Sequence, residues 1–313
     1  MSRPCLAIAM GDPAGIGPEL CCRIAADATL SSQAELQFYG SRLIFERVAE
    51  RCRLSLPGRL IDCGETAWAK EVEAGRVCAA AGRLARAALE AATAACISRS
   101  AQALVTAPIT KAAMALAGFP YPGHTEYLAA ACGGAEVAMA LHGPDLTVAL
   151  ATIHCPLAEV SRRLSADQIE RVGRLLNQAL YRQLGRPPRL TCLGLNPHAG
   201  EGGLFGDEEA RLILPALQRL RADGIAIAGP VSADTAFVPA ARAENDGYLA
   251  CYHDQGLIPF KMLHFHDGVN WTLGLPIIRT SPDHGSAHAI AWQGKADATS
   301  LRAACQLALR LAS

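Results

Sequence analysis

The chain has no excess of either charge. Lys and Arg together number 29, as do Asp and Glu, so no general field draws it to nucleic acid or an anionic membrane. Any selectivity for anions has to come from local placement. It has no uninterrupted apolar window of the roughly 18 residues that a membrane span needs. The opening stretch "MSRPCLAIAMGDPAGIGPEL" is too short in its apolar part for a secretory leader, and Asp12 cuts it early. No repeat of fixed period, low-complexity tract or long linker is visible. Two lobes sharing a continuous sheet are therefore expected rather than beads on a string, with a lobe boundary that composition does not locate.

Twelve cysteines are present, yet none forms a C-x-x-C pair. Most, such as Cys78, Cys96, Cys192 and Cys251, lie inside apolar helix or strand patterns, which reads as buried free thiols in a reducing compartment. The expectation is a soluble cytoplasmic protein.

Hydrophobic residues make up 51% of the chain and charged ones 19%, the balance of a globular fold with a large core. Short β-like runs alternate with helical ones from end to end. "CLAIAM" (5–10), "LQFYG" (36–40), "ALVTAP" (103–108), "VAMALHG" (137–143), "LTVALAT" (146–152), "LTCLGL" (190–195), "GYLACYH" (247–253) and "VNWTLGLPII" (269–278) read as strands; 74–98, 166–184 and 207–222 read as helices. The alternation predicts an α/β architecture with a largely parallel sheet. The runs 137–143 and 146–152, split by "GPD", predict an antiparallel hairpin within it.

"MGDPAGIGPEL" follows the first strand and leads into a helix starting near Pro18. It invites comparison with the dinucleotide fingerprint G-x-G-x-x-G, but Leu20 stands at the third glycine position and Pro18 is foreign to the pattern. A structural strand-to-helix turn is the better reading.

Three of the nine histidines share one local grammar. His154 follows "LTVALAT", His198 follows "LTCLGL" within "NPHAGEGG", and His253 follows "GYLACY" in "LACYHDQGLIPFK". Each stands at the C-terminal end of an expected strand, where the loops of an open α/β sheet gather into a ligand crevice. One such histidine is usually an ordinary hydrogen-bonded residue; three coincidences reverse that reading. Imidazole binds zinc-class divalent ions, and a three-histidine set leaves coordination positions open for substrate. Asp254 or nearby backbone is placed to orient the rings.

"PGHTEYLA" (122–129) puts His124 and Thr125 at a helix start, where free N–H groups hold an anion or the residues merely cap. Asn270 and Arg279 lie within and at the end of an apolar run, and Lys261 follows His253. Enclosed cations need an anionic partner, Arg as a bidentate fork and Lys as a point charge or proton carrier; a solvated strand edge is the alternative. "DHGSAHAIAWQGKADATS" (283–300) supplies a glycine-containing loop whose N–H groups, with Ser286, suit a nucleotide.

Together "MGDPAGIGPE", "PGHTEYLA", "NPHAGEGG", "CYHDQGLIPFK", "GVNWTLGLP" and "RTSPDHGSA" resemble, in order and over nearly the whole chain, the 4-hydroxythreonine-4-phosphate dehydrogenase family, with its D-threonate and D-erythronate 4-phosphate dehydrogenase branch. That resemblance implies two α/β lobes of the isocitrate and isopropylmalate dehydrogenase kind with a central cleft, forming one catalytic unit over 1–313. It implies a divalent metal (Zn, Mg or Co) on His154, His198 and His253, in a site shared across a homodimer. It implies substrate contacts from His124, Thr125, Lys261, Asn270 and Arg279, with Lys261 a candidate base. NAD or NADP would lie on Gly285, Ser286 and Asp297. The sequence departs from the related loops at Ala289, where an acidic residue is usual, and at "AWQGKAD". The implied reaction is metal-dependent oxidation of the secondary alcohol in a phosphorylated four-carbon acid, with decarboxylation of the keto acid. Two other readings are a zinc hydrolase on the same histidines, with Asp254 or Glu126 as base, and a binding protein that has lost catalysis.

Overall fold

The computed structural model describes residues 3–312. Its strands are β1 (Cys5–Ala9), β2 (Glu35–Gly40), β3 (Leu60–Asp62), β4 (Ala103–Thr106), β5 (Ala138–His142), β6 (Thr147–Leu150), β7 (Leu190–Leu193), β8 (Ile227–Val231), β9 (Gly247–Ala250), β10 (Val269–Leu273) and β11 (Ile278–Pro282). Helices separate most of them, as the alternating pattern predicts, and the class is α/β with mostly parallel strands. The chain divides into two compact units, residues 1–135 with 275–313, and residues 136–274. Among the described residues no helix is long and apolar enough to cross a membrane.

In the first unit the strands run β3-β2-β1-β4-β11, and every pairing is parallel. Strands buried on both faces need continuous apolar sequence rather than alternation, and "CLAIA" is buried at all five positions. Their side chains pack with the Ala-rich helix Ala79–Ile97, whose Ala88 and Ala92 meet Ala7, Tyr39 and Leu104 in one core cluster. The winding direction changes between β1 and β4, and ligands of open parallel sheets gather beyond the strand ends at such a switch.

In the second unit the order is β10-β5-β6-β9-β7-β8. β10–β5 and β5–β6 are antiparallel, the latter being the expected hairpin. β6–β9, β9–β7 and β7–β8 are parallel. Leu141, Val148, Leu150, Leu193 and Phe260 close one core around Tyr248, whose hydroxyl donates to the Ala236 carbonyl at 2.9 Å. Helix Ala166–Leu184 lies where the sequence puts it. Ser165 accepts from Gln168 N–H at its start, Gly185 in the left-handed region ends it, and Ile169, Val172, Leu176 and Leu180 form its buried stripe.

Strands β3 and β8 are not among the expected ones, the helix expected over 74–98 spans Ala79–Ile97, and three further elements differ. The run 269–278 is two strands, because Pro276 has no N–H to keep in a ladder; Arg279 thus lies inside β11. The stretch 247–253 ends as a strand at Ala250, and His253 is the first residue of a helix, His253–Leu263, favoured by Asp254 in its first turn. The helix expected over 207–222 opens with a π turn, Glu209–Ile213, before α-helix Leu214–Ala222; Pro215 removes an α-type donor there.

Candidate active site

β6, β9 and β7 are consecutive neighbours in the sheet and parallel, so their C-terminal ends stand side by side at a spacing of about 5 Å per strand. The loops leaving those three ends carry His154, His253 and His198 in that order. Buried hydrogen bonds tie the loops together. Thr152 donates through its hydroxyl to the Cys251 carbonyl at 2.8 Å. Gln255 accepts from Cys251 N–H at 2.7 Å and donates to the Gly194 carbonyl at 2.7 Å. Behind them Cys192 is packed so tightly that burial pushes its thiol up to about 12, so it is an apolar filler rather than a nucleophile.

The rings of His154 and His253 stand 5.6 Å apart, centroid to centroid. Asp254 Oδ1 lies 2.7 Å from His253 Nδ1. A carboxylate can only accept, so this contact puts the ring proton on Nδ1 and leaves the Nε2 lone pair for a cation. His198 sits in a sharp turn, Pro197–Gly203, with its ring 6.3 Å from that of Phe205. Within one chain, and among the described residues, no three His, Cys, Asp or Glu side chains are gathered closely enough to hold a metal ion. The donor set nevertheless fits a divalent cation in type: imidazoles on adjacent strand ends, one with its outer nitrogen already held by a carboxylate.

Lys261 lies two turns beyond His253 on the same helix, its Nζ 5.5 Å above the centroid of the Phe265 ring. Asn270 is the second residue of β10, opposite Leu141 of β5. Both are half-buried.

In the first unit, Arg279 projects from β11 beside β4 and is 3% exposed. Its Nη2 donates to the Thr106 hydroxyl at 2.7 Å. Burial lowers its guanidinium to about 10, opposed by the carboxylate of Glu126, so it is still a cation at neutral pH. His124 is held well below the usual imidazole range by burial and by the charge of Arg279. Helix His124–Ala131 starts without a side-chain cap, its first residues being His124 and Thr125. A buried guanidinium, a neutral imidazole and a helix start together suit a phosphate or carboxylate.

Beyond the ends of β1 and β4, at the switch point, the first glycine-rich turn lies on the 283–288 loop. Ile16 N–H donates to the Ser286 carbonyl at 3.0 Å. A Cβ at Gly15 would fall 2.6 Å from that same oxygen, so only glycine allows the approach. Ser286 Oγ meets Thr110 Oγ1 at 2.7 Å. His288 Nε2 reaches Asp12 Oδ2 at 2.8 Å and Thr110 Oγ1 at 3.1 Å. The two partners share one nitrogen, which rules out a relay through the ring of the triad kind. Gly285 is exposed, and Asp297 Oδ1 takes the N–H and hydroxyl of Thr299 at 2.9 and 2.6 Å, at the entry to the last helix. Ala289 is exposed in a short 3-10 turn, His288–Ile290.

The profile of the pyridoxal phosphate biosynthetic protein PdxA matches residues 22–308. The chain belongs to the PdxA family. Among its relatives, a 4-hydroxythreonine-4-phosphate dehydrogenase of Geobacter metallireducens is 42% identical over 99% of this chain and 96% of its own. A D-threonate 4-phosphate dehydrogenase of Salmonella typhimurium is 41% identical, covering all of both chains. The crystal structure of 4-hydroxythreonine-4-phosphate dehydrogenase from Klebsiella pneumoniae superposes with a TM-score of 0.90 at 38% identity, over 100% of this chain and 98% of that one. The family is thus a dehydrogenase family, and two relatives with different substrates in their names lie within one percentage point of identity.

In this PdxA-family chain, several bracing residues of each unit did not stand out in the sequence. Gln255 and Thr152, which stitch the histidine loops, and Asp12 and Thr110, which brace the 283–288 loop, are ordinary polar residues in sequence. Their one visible signal is position: each lies within five residues after an apolar strand.

Proposed function

We propose that this protein is a divalent-metal-dependent NAD(P) dehydrogenase that oxidises the secondary alcohol of a phosphorylated four-carbon acid. The substrate is 4-hydroxythreonine 4-phosphate, with D-threonate or D-erythronate 4-phosphate as the alternative, and the keto acid loses carbon dioxide. The observation that carries this reading is that three histidines lie on the segments leaving the C-terminal ends of three adjacent parallel strands in a PdxA-family chain. The whole chain acts as one catalytic unit of two α/β lobes, in the cytoplasm.

His154, His198 and His253 hold the cation, with Asp254 fixing the His253 tautomer. When bound, a divalent ion (Zn, Mg or Co) supplies Lewis acidity that lowers the pKa of the substrate hydroxyl. Arg279, His124 and Thr125 take the charged end of the substrate, and Asn270 orients it by hydrogen bonding. Lys261 would receive the proton of the substrate hydroxyl, and a bound nicotinamide would supply the hydride acceptor; Lys261 is the one titratable side chain on its helix besides His253 and Asp254. Gly285, Ser286 and Asp297 hold the dinucleotide, at the winding switch of the first unit.

The site is completed in a homodimer. The segments that carry the histidines and Lys261 expose large apolar side chains. Leu157 is 72% exposed, Leu204 73%, Ile258 61%, Met262 81% and Phe265 69%, a concentration typical of surfaces that become covered.

The hydrolase reading needs Asp254 or Glu126 as a free base, and the Asp254 carboxylate is engaged by His253. The test is nicotinamide reduction against a panel of phosphorylated four-carbon acids, with and without chelator. Metal-dependent reduction with one of them is expected; absence of nucleotide binding would remove the dehydrogenase reading, and turnover without nucleotide would favour the hydrolase.

A further inference from the structure

The turn that presents His198 is built in the left-handed region. His198, Ala199, Gly200, Glu201, Gly202 and Gly203 have φ of 52°, 52°, 80°, 40°, 67° and 100°. Left-handed backbone disfavours every L residue and is rarely sustained over consecutive positions, yet three of these six carry a Cβ. At its edges the turn is held by Ala199 N–H to the Asn196 carbonyl at 3.1 Å, Phe205 N–H to Gly200 at 3.2 Å and Leu204 N–H to Glu201 at 3.3 Å. Something outside the turn must over-determine its shape.

That element is Glu209, at the start of the following helical segment and only 5% exposed. Its Oε1 accepts from Asn196 N–H at 2.8 Å, and its Oε2 from Asn196 Nδ2 at 3.0 Å. The second Nδ2 proton goes to Glu208 Oε2 at 2.9 Å. On its other side the carboxylate lies directly against the turn, since a Cβ on Gly200 would sit 2.7 Å from Oε2. It also backs the end of β7, where a Cβ on Gly194 would sit 3.3 Å from Oε1. The carboxylate is wedged inside the loop, gripping its first residue and supporting its apex. Burying a charged carboxylate is costly, and an amide of the same shape would be the cheaper filler. Asn196, however, presents two donors, one to each oxygen, and only a carboxylate accepts at both.

We propose that Glu209, through Asn196, is a positioning residue for His198: it holds the left-handed turn in the one shape that aims this imidazole at the cation. The inference rests on the reading of His198 as a metal ligand. It makes the glutamate part of the metal-binding device without its touching the metal.

The test uses the full-length protein stripped of metal and titrated with Co2+, followed by visible absorption, for wild type, Glu209→Gln and His198→Ala. Amide hydrogen exchange of the metal-free proteins is measured alongside. Glu209→Gln keeps volume and removes one acceptor. It is expected to bind Co2+ about tenfold or more weakly, the range seen when residues supporting a metal ligand are lost. Faster exchange should be confined to residues 196–206, with only a small fall in the thermal midpoint. If Glu209→Gln binds Co2+ like wild type while His198→Ala binds weakly, the positioning role is wrong and the ligand reading stands. If His198→Ala itself binds like wild type, the ligand reading falls and this inference with it. Exchange that rises throughout the unit, with a much lowered midpoint, overturns the proposal in favour of a purely structural role. Should Glu209→Gln fail to fold, Asn196→Ala decides: wild-type affinity and exchange would overturn the proposal, and the same local weakening would sustain it.

Discussion

The Gln255 carboxamide donates to the Gly194 carbonyl at 2.7 Å, binding the helix that begins at His253 to the strand end that precedes His198. The same side chain takes the N–H of Cys251. Replacing it by Leu leaves two buried backbone groups without partners, at about 1–3 kcal/mol for each orphaned group. Glutamine 255→leucine, Gln255→Leu, should therefore unfold at markedly lower urea. A midpoint equal to wild type would mean that neither backbone group depends on this carboxamide.

Asp254→Asn keeps the shape beside His253 but removes the carboxylate that puts the ring proton on Nδ1. Affinity for Zn2+ should fall by about 10–100-fold, measured by competition with a chromophoric chelator. Undiminished affinity would remove Asp254 from the site.

Arg279→Lys keeps the charge and loses the planar fork. With a charge-assisted hydrogen bond worth about 1.5–3 kcal/mol, KM for the phosphorylated substrate should rise roughly 10–100-fold, and kcat should change much less. Steady-state kinetics over a wide substrate range provide the check; an unaltered KM would place the guanidinium outside substrate binding.

Acid should destabilise the protein partly through His124. Its folded imidazole is held well below the usual range by burial and by Arg279. Below about pH 6.5, the ordinary imidazole value, the unfolded chain therefore binds a proton that the folded chain refuses. The stability is fully present above that pH and is lost as pH falls toward the lowered folded value. His124→Gln should flatten the fall in unfolding free energy below pH 6.5. An identical pH profile for both proteins would contradict the assignment.

Much of this was legible in the residues. Helix 166–184 announced itself because Ser165, Gly185 and an apolar stripe agree. The three histidines stood out because each follows an apolar strand. What the sequence could not supply was the neighbour order β6-β9-β7, since sheet order is a long-range property that no local pattern encodes. Pro276 does carry the local signal that splits 269–278. Glu209 was invisible for a different reason: a glutamate in a helical pattern normally faces water, and only the folded turn shows the carboxylate enclosed.

The rings of His154, His198 and His253 hang from separate strands, 44 and 55 residues apart in sequence, and meet nowhere in an unfolded chain. A cation that engages them would favour the folded chain by the excess of its affinity there over its affinity for the nine histidines and twelve cysteines of the denatured ensemble. That excess would appear as resistance to unfolding, rising with free metal. Melting temperature read against metal concentration would then report whether these imidazoles take up a cation, before any substrate is known.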